Sequence, residues 1–136
     1  MVNGRYGYFV SRNSYLVCEP REISSAIYKL RHFNGFQEGI RYIDRFGSYE
    51  VTRIKDVSLG YDSSAGQRAE DKFVSPSAEM ITFELGNGTV MTLRGSGTEP
   101  KLKYYIEAKG RSIEEAEEKA RDVEKALTLM LEEVTS

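Results

Sequence analysis

The sequence predicts an α+β domain, a small four-stranded antiparallel sheet with two helices packed on one face. Three observations predict it. Apolar residues near the C-terminus recur at helical spacing, stretches between residues 80 and 109 alternate apolar with polar side chains, and an Asn-Gly pair joins two of those stretches. Helix, strand, hairpin, strand, helix in that order describes a sheet with helices gathered on one side. At 136 residues, 40% hydrophobic and 29% charged, the chain suits one domain with one core.

The elements follow in chain order. Residues 1–19 hold Tyr6, Tyr8 and Tyr15 without clean periodicity and are expected to form a connection into a domain spanning residues 20–136. A first helix is expected from Arg21 to Phe33, with Ile23, Ala26, Ile27 and Leu30 inward, Pro20 at its start and Asn34-Gly35 at its end. A strand is expected over Tyr49–Asp56, followed by a long polar loop at residues 60–79. Ile81, Phe83 and Leu85 alternate with Met80, Thr82 and Glu84, and Thr89 to Arg94 forms the return strand. Gly86-Asn87-Gly88 between them supplies the positive φ that a tight hairpin needs. Leu102, Tyr104, Ile106 and Ala108 then alternate with Lys103, Tyr105, Glu107 and Lys109. Finally Ile113, Ala116, Ala120, Val123, Leu127, Met130 and Val134 mark one helix face, entered through a Ser112–Glu115 capping box. Eight acids and three bases between Glu114 and Glu133 occupy the solvated side of this helix.

Composition removes several function classes. A single cysteine, Cys18, excludes an internal disulfide and a cysteine-rich zinc site, and a single histidine, His32, leaves no histidine pair. Cys18 has no Cys-x-x-Cys partner and is expected to be a buried or inert thiol; His32 is expected to be structural or exposed. The longest run of hydrophobic residues is Tyr15-Leu16-Val17-Cys18, far short of the roughly 18 needed to span a bilayer, so no membrane is expected as partner. No charged-then-apolar leader opens the chain, which predicts a cytoplasmic protein. Net charge is −2: residues 1–68 carry ten bases and seven acids, residues 69–136 nine bases and fourteen acids. Such a balance does not suit a nucleic-acid partner. The alternation also turns Tyr104 inward, leaving Tyr105 as a lone exposed ring where base stacking would want several.

Within the acidic half, Arg94, Lys101, Lys103, Lys109 and Arg111 face only Glu99 and Glu107, a local excess of positive charge suited to a small anion. The segment Arg94-Gly95-Ser96-Gly97-Thr98-Glu99-Pro100-Lys101 holds the chemistry. Two glycines allow successive N–H groups to converge, Ser96 and Thr98 add hydroxyls, and the Arg94 fork matches two phosphate oxygens. Physical reasoning alone gives a phosphate or carboxylate site of moderate specificity, beside an ordinary Gly/Ser turn with surface charge around it. It is not a nucleotide P-loop, which requires G-x-x-x-x-G-K-[ST] and a following helix.

This loop, with Lys103-Tyr104-Tyr105 after it, resembles the R-x-S-G-T-E-P-K phosphate loop of the α-D-phosphohexomutases. Tyr6-Gly7-Tyr8, Asn13-Ser14-Tyr15 and Val57-Ser58-Leu59-Gly60-Tyr61-Asp62-Ser63-Ser64 are similar to stretches of the phosphoglucomutase/phosphopentomutase-like branch, so the likeness covers essentially the whole chain. The resemblance implies the last of four domains, with a TATA-box-binding-protein-like fold. It implies a parent enzyme that moves a phosphoryl group on a sugar phosphate, with glucose 1-phosphate and glucose 6-phosphate the expected pair. That chemistry runs through a phosphoserine and a bisphosphorylated sugar, with Mg2+ held in an Asp-rich loop. Neither the serine segment nor an Asp-x-Asp-x-Asp stands in this sequence, so this chain is expected to hold no metal or catalytic residue and to be inactive alone. Carried over by motif, Arg94, Gly95, Ser96, Gly97 and Thr98 hold the phosphate that is not transferred, Lys101 and Lys103 support it, and Glu99 shapes the loop. The expected partners are the sugar phosphate and the preceding domains. A phosphomannomutase, a phosphopentomutase, a glucose-1,6-bisphosphate synthase, or a stand-alone anion- or protein-binding module remain the alternatives.

Overall fold

A computed structural model of the chain describes residues 7–33, 40–65, 75, 78–96 and 99–135. Its strands are β1 (Tyr8–Val17), β2 (Arg45–Phe46), β3 (Tyr49–Asp56), β4 (Tyr61–Asp62), β5 (Met80–Leu85), β6 (Val90–Gly95) and β7 (Lys101–Gly110). Its helices are α1 (Pro20–Arg31) and α2 (Ile113–Thr135). The sheet runs β1-β7-β6-β5-β3-β2, with β4 paired to β3, and every pairing is antiparallel.

The α+β class, the antiparallel sheet and the two helices match the sequence reading, while the strand count of four is corrected to seven among the described residues. The four expected strands are β3, β5, β6 and β7. β2 and β4 are two-residue additions at the β3 edge, too short to show a period. β1 is the larger correction: residues 8–17, expected to be part of a connection, pair with β7 along its whole length, from Tyr8 opposite Gly110 to Val17 opposite Lys101. β4 and a following 3-10 turn at Ser63–Ala65 also occupy the start of the expected polar loop.

Register explains the core. Ile81 lies opposite Leu93 and Phe83 opposite Met91, while Leu93 and Met91 in turn face Tyr104 and Ile106. All of these side chains are buried on one face, where they join Ile23, Ala26, Ile27 and Leu30 of α1 and Ala120, Val123, Leu127 and Leu131 of α2 in one cluster. Each fully buried Ile, Leu or Phe contributes about 1.5–3 kcal/mol. On α2 the buried stripe takes Leu131 as well, whereas Ile113 is about half exposed. Ser112 Oγ accepts the Glu115 N–H at 3.1 Å, and the Glu115 carboxylate reaches back to the Arg111 N–H at 2.9 Å, one residue before the Ser112 N–H of a strict capping box. The hairpin turns as expected: Gly88 N–H donates to the Leu85 carbonyl, and Gly88 itself is left-handed at φ 87°. The helix stop at Asn34-Gly35 lies outside the described residues.

Among the described residues the other sheet face carries no α-helix. Along it, one row across the strands reads Met80, Arg94, Lys103, Tyr15, and the next row toward the β6–β7 connection ends in Lys101 and Val17.

Candidate anion-binding site

The motif residues sit where β6 leaves the sheet and β7 re-enters it. Strand alternation sends Arg94 to the open face and buries Gly95 on the core side, opposite Leu102. Three backbone bonds hold the loop at its neck and ends. Gly95 N–H donates to the Glu79 carbonyl at 3.0 Å, Ser96 N–H to the Lys101 carbonyl at 3.2 Å, and Cys18 N–H to the Pro100 carbonyl at 2.8 Å. Ser96 Oγ accepts the Glu99 N–H at 3.2 Å, which leaves the hydroxyl proton free to donate to a ligand. The Glu99 carboxylate pairs with Lys101 Nζ at 3.1 Å. Gly97 and Thr98 lie outside the described residues.

Arg94 and Lys103 are directly opposite each other across β6 and β7. Among the described residues neither side chain has a hydrogen-bonded or ion-paired partner. Like charges opposite one another in a sheet repel, so this pair raises the energy of the empty face and would be relieved by an anion between them. Lys101 approaches from the next row, its ammonium 4.1 Å from the centre of the Tyr15 ring. The structure thus brings Arg94, Ser96, Lys101 and Lys103 to one end of the open face, with the buried Gly95 as the hinge point between strand and loop.

The remaining chemistry-bearing residues are elsewhere. Cys18 is buried, and burial pushes its thiol above the ordinary range, which suits an inert role. His32 stacks on Tyr28 with ring centres 4.2 Å apart. Tyr104 is turned inward, its hydroxyl donating to Glu124 at 2.6 Å, and Tyr105 is exposed. A cleft of about 490 Å³ opens near the hairpin end of the sheet, beside α2, but it is lined by Glu115, Glu118 and Asp122 against Arg111 and Lys119, the wrong balance for an anion. Among the described residues no group of three or more His, Cys, Asp or Glu is placed to hold a metal ion. No helix among them is long and apolar enough to cross a membrane.

Sequence reasoning missed one charged cluster. Arg31 is buried at the end of α1 and forks onto two carboxylates: Nε to Asp56 Oδ2 at 2.7 Å and Nη2 to Glu79 Oε1 at 2.8 Å. Ser58 Oγ and the Tyr42 hydroxyl complete the set around Asp56, at 3.0 and 2.7 Å. The available signal was the helix period: Arg31 follows Ile23 and Ile27 at the same four-residue step, so it was bound to point inward.

An α+β fold with Arg94, Lys101 and Lys103 gathered about Ser96 at one end of an open sheet face defines a class of domain with a cationic β6–β7 connection. Comparison narrows the class. Residues 50–126 match the family described as phosphoglucomutase/phosphomannomutase, C-terminal domain, and the chain belongs to that family. It is 40% identical over 125 residues to a probable phosphoribomutase of Schizosaccharomyces pombe, covering 90% of this chain and 21% of that protein. It is 43% identical over 104 residues to a human glucose 1,6-bisphosphate synthase, covering 76% and 16%, and 39% identical over 103 residues to a human phosphopentomutase, covering 75% and 16%. The chain therefore spans about a fifth or less of the length of these relatives.

Proposed function

We propose that this domain anchors the phosphate group of a sugar phosphate inside a larger phosphomutase, and that the anchored phosphate is the one not being transferred. The observation that carries this reading is the pair Arg94 and Lys103, opposite each other across β6 and β7 and without side-chain partners among the described residues. Arg94 offers a two-pronged fork to phosphate oxygens, Ser96 a hydroxyl donor, and Lys103 and Lys101 point charge. Gly97 and Thr98 complete the donor set by motif, whereas the Gly95 N–H is already taken by the Glu79 carbonyl, so that Gly95 serves the bend and not the phosphate. These groups bind and orient; holding one end of the substrate fixes the other end against the reacting groups, which lowers the entropic part of the barrier. They move no proton themselves.

In the parent enzyme the phosphoserine and a magnesium ion would belong to parts outside this chain. The sugar is set outside it too: the relatives' names include phosphoribomutase, phosphopentomutase and glucose 1,6-bisphosphate synthase, which brings pentose phosphates in beside the glucose phosphates. Titration of inorganic phosphate, glucose 6-phosphate and ribose 5-phosphate into the chain, followed by calorimetry or amide shifts, tests the site. A charge-assisted hydrogen bond is worth roughly 1.5–3 kcal/mol, so Arg94→Ala is expected to weaken binding about tenfold or more. Affinity unchanged by that substitution overturns the assignment. A coupled mutase assay on the chain alone should show no turnover.

A further inference from the structure

We infer that Arg31 and Glu79 are positioning residues for the anion loop, holding in register the strand end from which Arg94 and Gly95 depart. The inference rests on the phosphate-anchoring reading and adds to it a buried part that the motif does not contain.

The chain of contacts is short. Arg31 Nη2 donates to Glu79 Oε1 at 2.8 Å, with Nη1 to Oε2 at 3.4 Å. The carbonyl of that same Glu79 accepts the Gly95 N–H at 3.0 Å. One residue on, Met80 lies opposite Arg94; its N–H donates to Ser58 Oγ at 3.0 Å, and its carbonyl, also at 3.0 Å, shares the single Ser58 hydroxyl proton with Asp56. Ser58 Oγ also receives an N–H from Arg31 Nη2 at 2.9 Å. The guanidinium thus ties α1 to β3 through Asp56 and to the first residues of β5 through Glu79 and Ser58. The last rung of the β5–β6 ladder, Gly95 to Glu79, is fixed at its far end by this cluster.

Burial argues that the cluster is there for geometry. Arg31, Asp56 and Glu79 are 5%, 0% and 3% exposed. Removing three charges from water costs several kcal/mol per ion, and an apolar set of similar volume often serves stability as well or better. What charges add is direction, because a forked guanidinium accepts only one arrangement of two carboxylates and a hydroxyl. That arrangement sits at the one strand end where β6 turns into the anion loop. A slip of a single residue there would send Arg94 to the wrong face of the sheet.

The test uses the whole chain, with inorganic phosphate as probe and amide hydrogen exchange as second readout. Glu79→Ala removes the anchor but leaves Arg31 paired with Asp56. It is expected to weaken phosphate about fivefold or more and to speed exchange of the Gly95 N–H at least tenfold, while Val123 and Leu127 in α2 exchange as before. Glu79→Gln, which still offers Arg31 an oxygen, should restore both. If Glu79→Ala does not fold, Ser58→Ala replaces it, since it removes the Met80 anchor without changing charge, and the same two changes are expected. Wild-type phosphate affinity in the anchor variant, with or without faster Gly95 exchange, overturns the positioning role. Arg94→Ala separates the two claims. Binding lost there but intact in Glu79→Ala overturns positioning alone, whereas binding insensitive to Arg94→Ala overturns the anchoring reading and this inference with it.

Discussion

Lys101 is held from two sides, by the Glu99 carboxylate at 3.1 Å and by the Tyr15 ring at 4.1 Å. The ring lies on β1, so this contact reaches the loop from a strand that the motif does not include. An exposed cation–π contact is worth about 0.5–1 kcal/mol, and Tyr15→Leu is expected to weaken phosphate by only about two- to fivefold, less than Arg94→Ala. Parallel titrations of the two variants check the ranking, and an equal loss would put Tyr15 among the direct ligands. Asp62 is a residue of another kind. The Arg53 fork donates to it at 3.1 and 2.6 Å, and Ser64 adds its N–H and hydroxyl. The Arg53 bond chiefly, then Ser64, holds this carboxyl well below the usual range. A lowered folded pKa stabilises above the unfolded value and is lost as pH falls, so Asp62→Asn should cost stability at pH 5–7 and progressively less below about pH 4. Urea midpoints of both proteins from pH 2.5 to 7 check this; a gap that stays constant to the lowest pH defeats it.

At the scale of elements, what was legible followed period. β5, β6, β7 and α2 each concentrate apolar residues on one side, and β3 was read at its observed bounds. β1 was not legible because both its faces mix types. Its inner side carries Val10, Arg12, Ser14 and Leu16, and its open side Phe9, Asn13, Tyr15 and Val17. The inward charge is accommodated by a distant one: Arg12 Nε pairs with Glu124 of α2 at 2.7 Å, and nothing near Arg12 in sequence announces it. The closing end of β1 makes a sharper demand. Gly7 is left-handed at φ 80°, and a Cβ there would collide with the Gly110 carbonyl oxygen at the end of β7. Gly88 is also left-handed, but a Cβ would meet only the flexible end of Lys109, at 3.5 Å. Gly88→Ala should therefore cost only the conformational term, about 1–2 kcal/mol, and Gly7→Ala should cost more because backbone must also move. Thermal unfolding of the two variants checks the order. Equal losses would mean that the β1–β7 end yields easily.

Across the whole molecule, the loop motif was legible because its eight residues are consecutive, whereas Arg31, Asp56 and Glu79 come from three distant segments that only the fold brings together. That triad also governs how stability depends on pH. Burial is the strongest influence on Glu79 and pushes its carboxyl above the ordinary value of 4.5; the Asp56 charge acts the same way, while Arg31 opposes both. A carboxyl raised in the folded state stabilises the protein below its unfolded pKa and loses that contribution as pH rises through the folded value. Wild-type stability should accordingly fall from about pH 4.5 upward on account of this group, the reverse of the slope that Asp62 gives below pH 4. Glu79→Gln keeps the oxygen facing Arg31 and leaves a one-to-one pair with Asp56, so it should lack this loss and gain on the wild type as pH rises toward 8. Arg31→Met leaves two buried carboxylates without a counter-charge and should cost about 3–5 kcal/mol near neutrality. Urea unfolding at pH 4, 6 and 8, followed by circular dichroism, compares all three chains. If the wild type and Glu79→Gln keep a constant gap across that range, Glu79 does not titrate as its burial requires, and the triad contributes to geometry without shaping the pH profile.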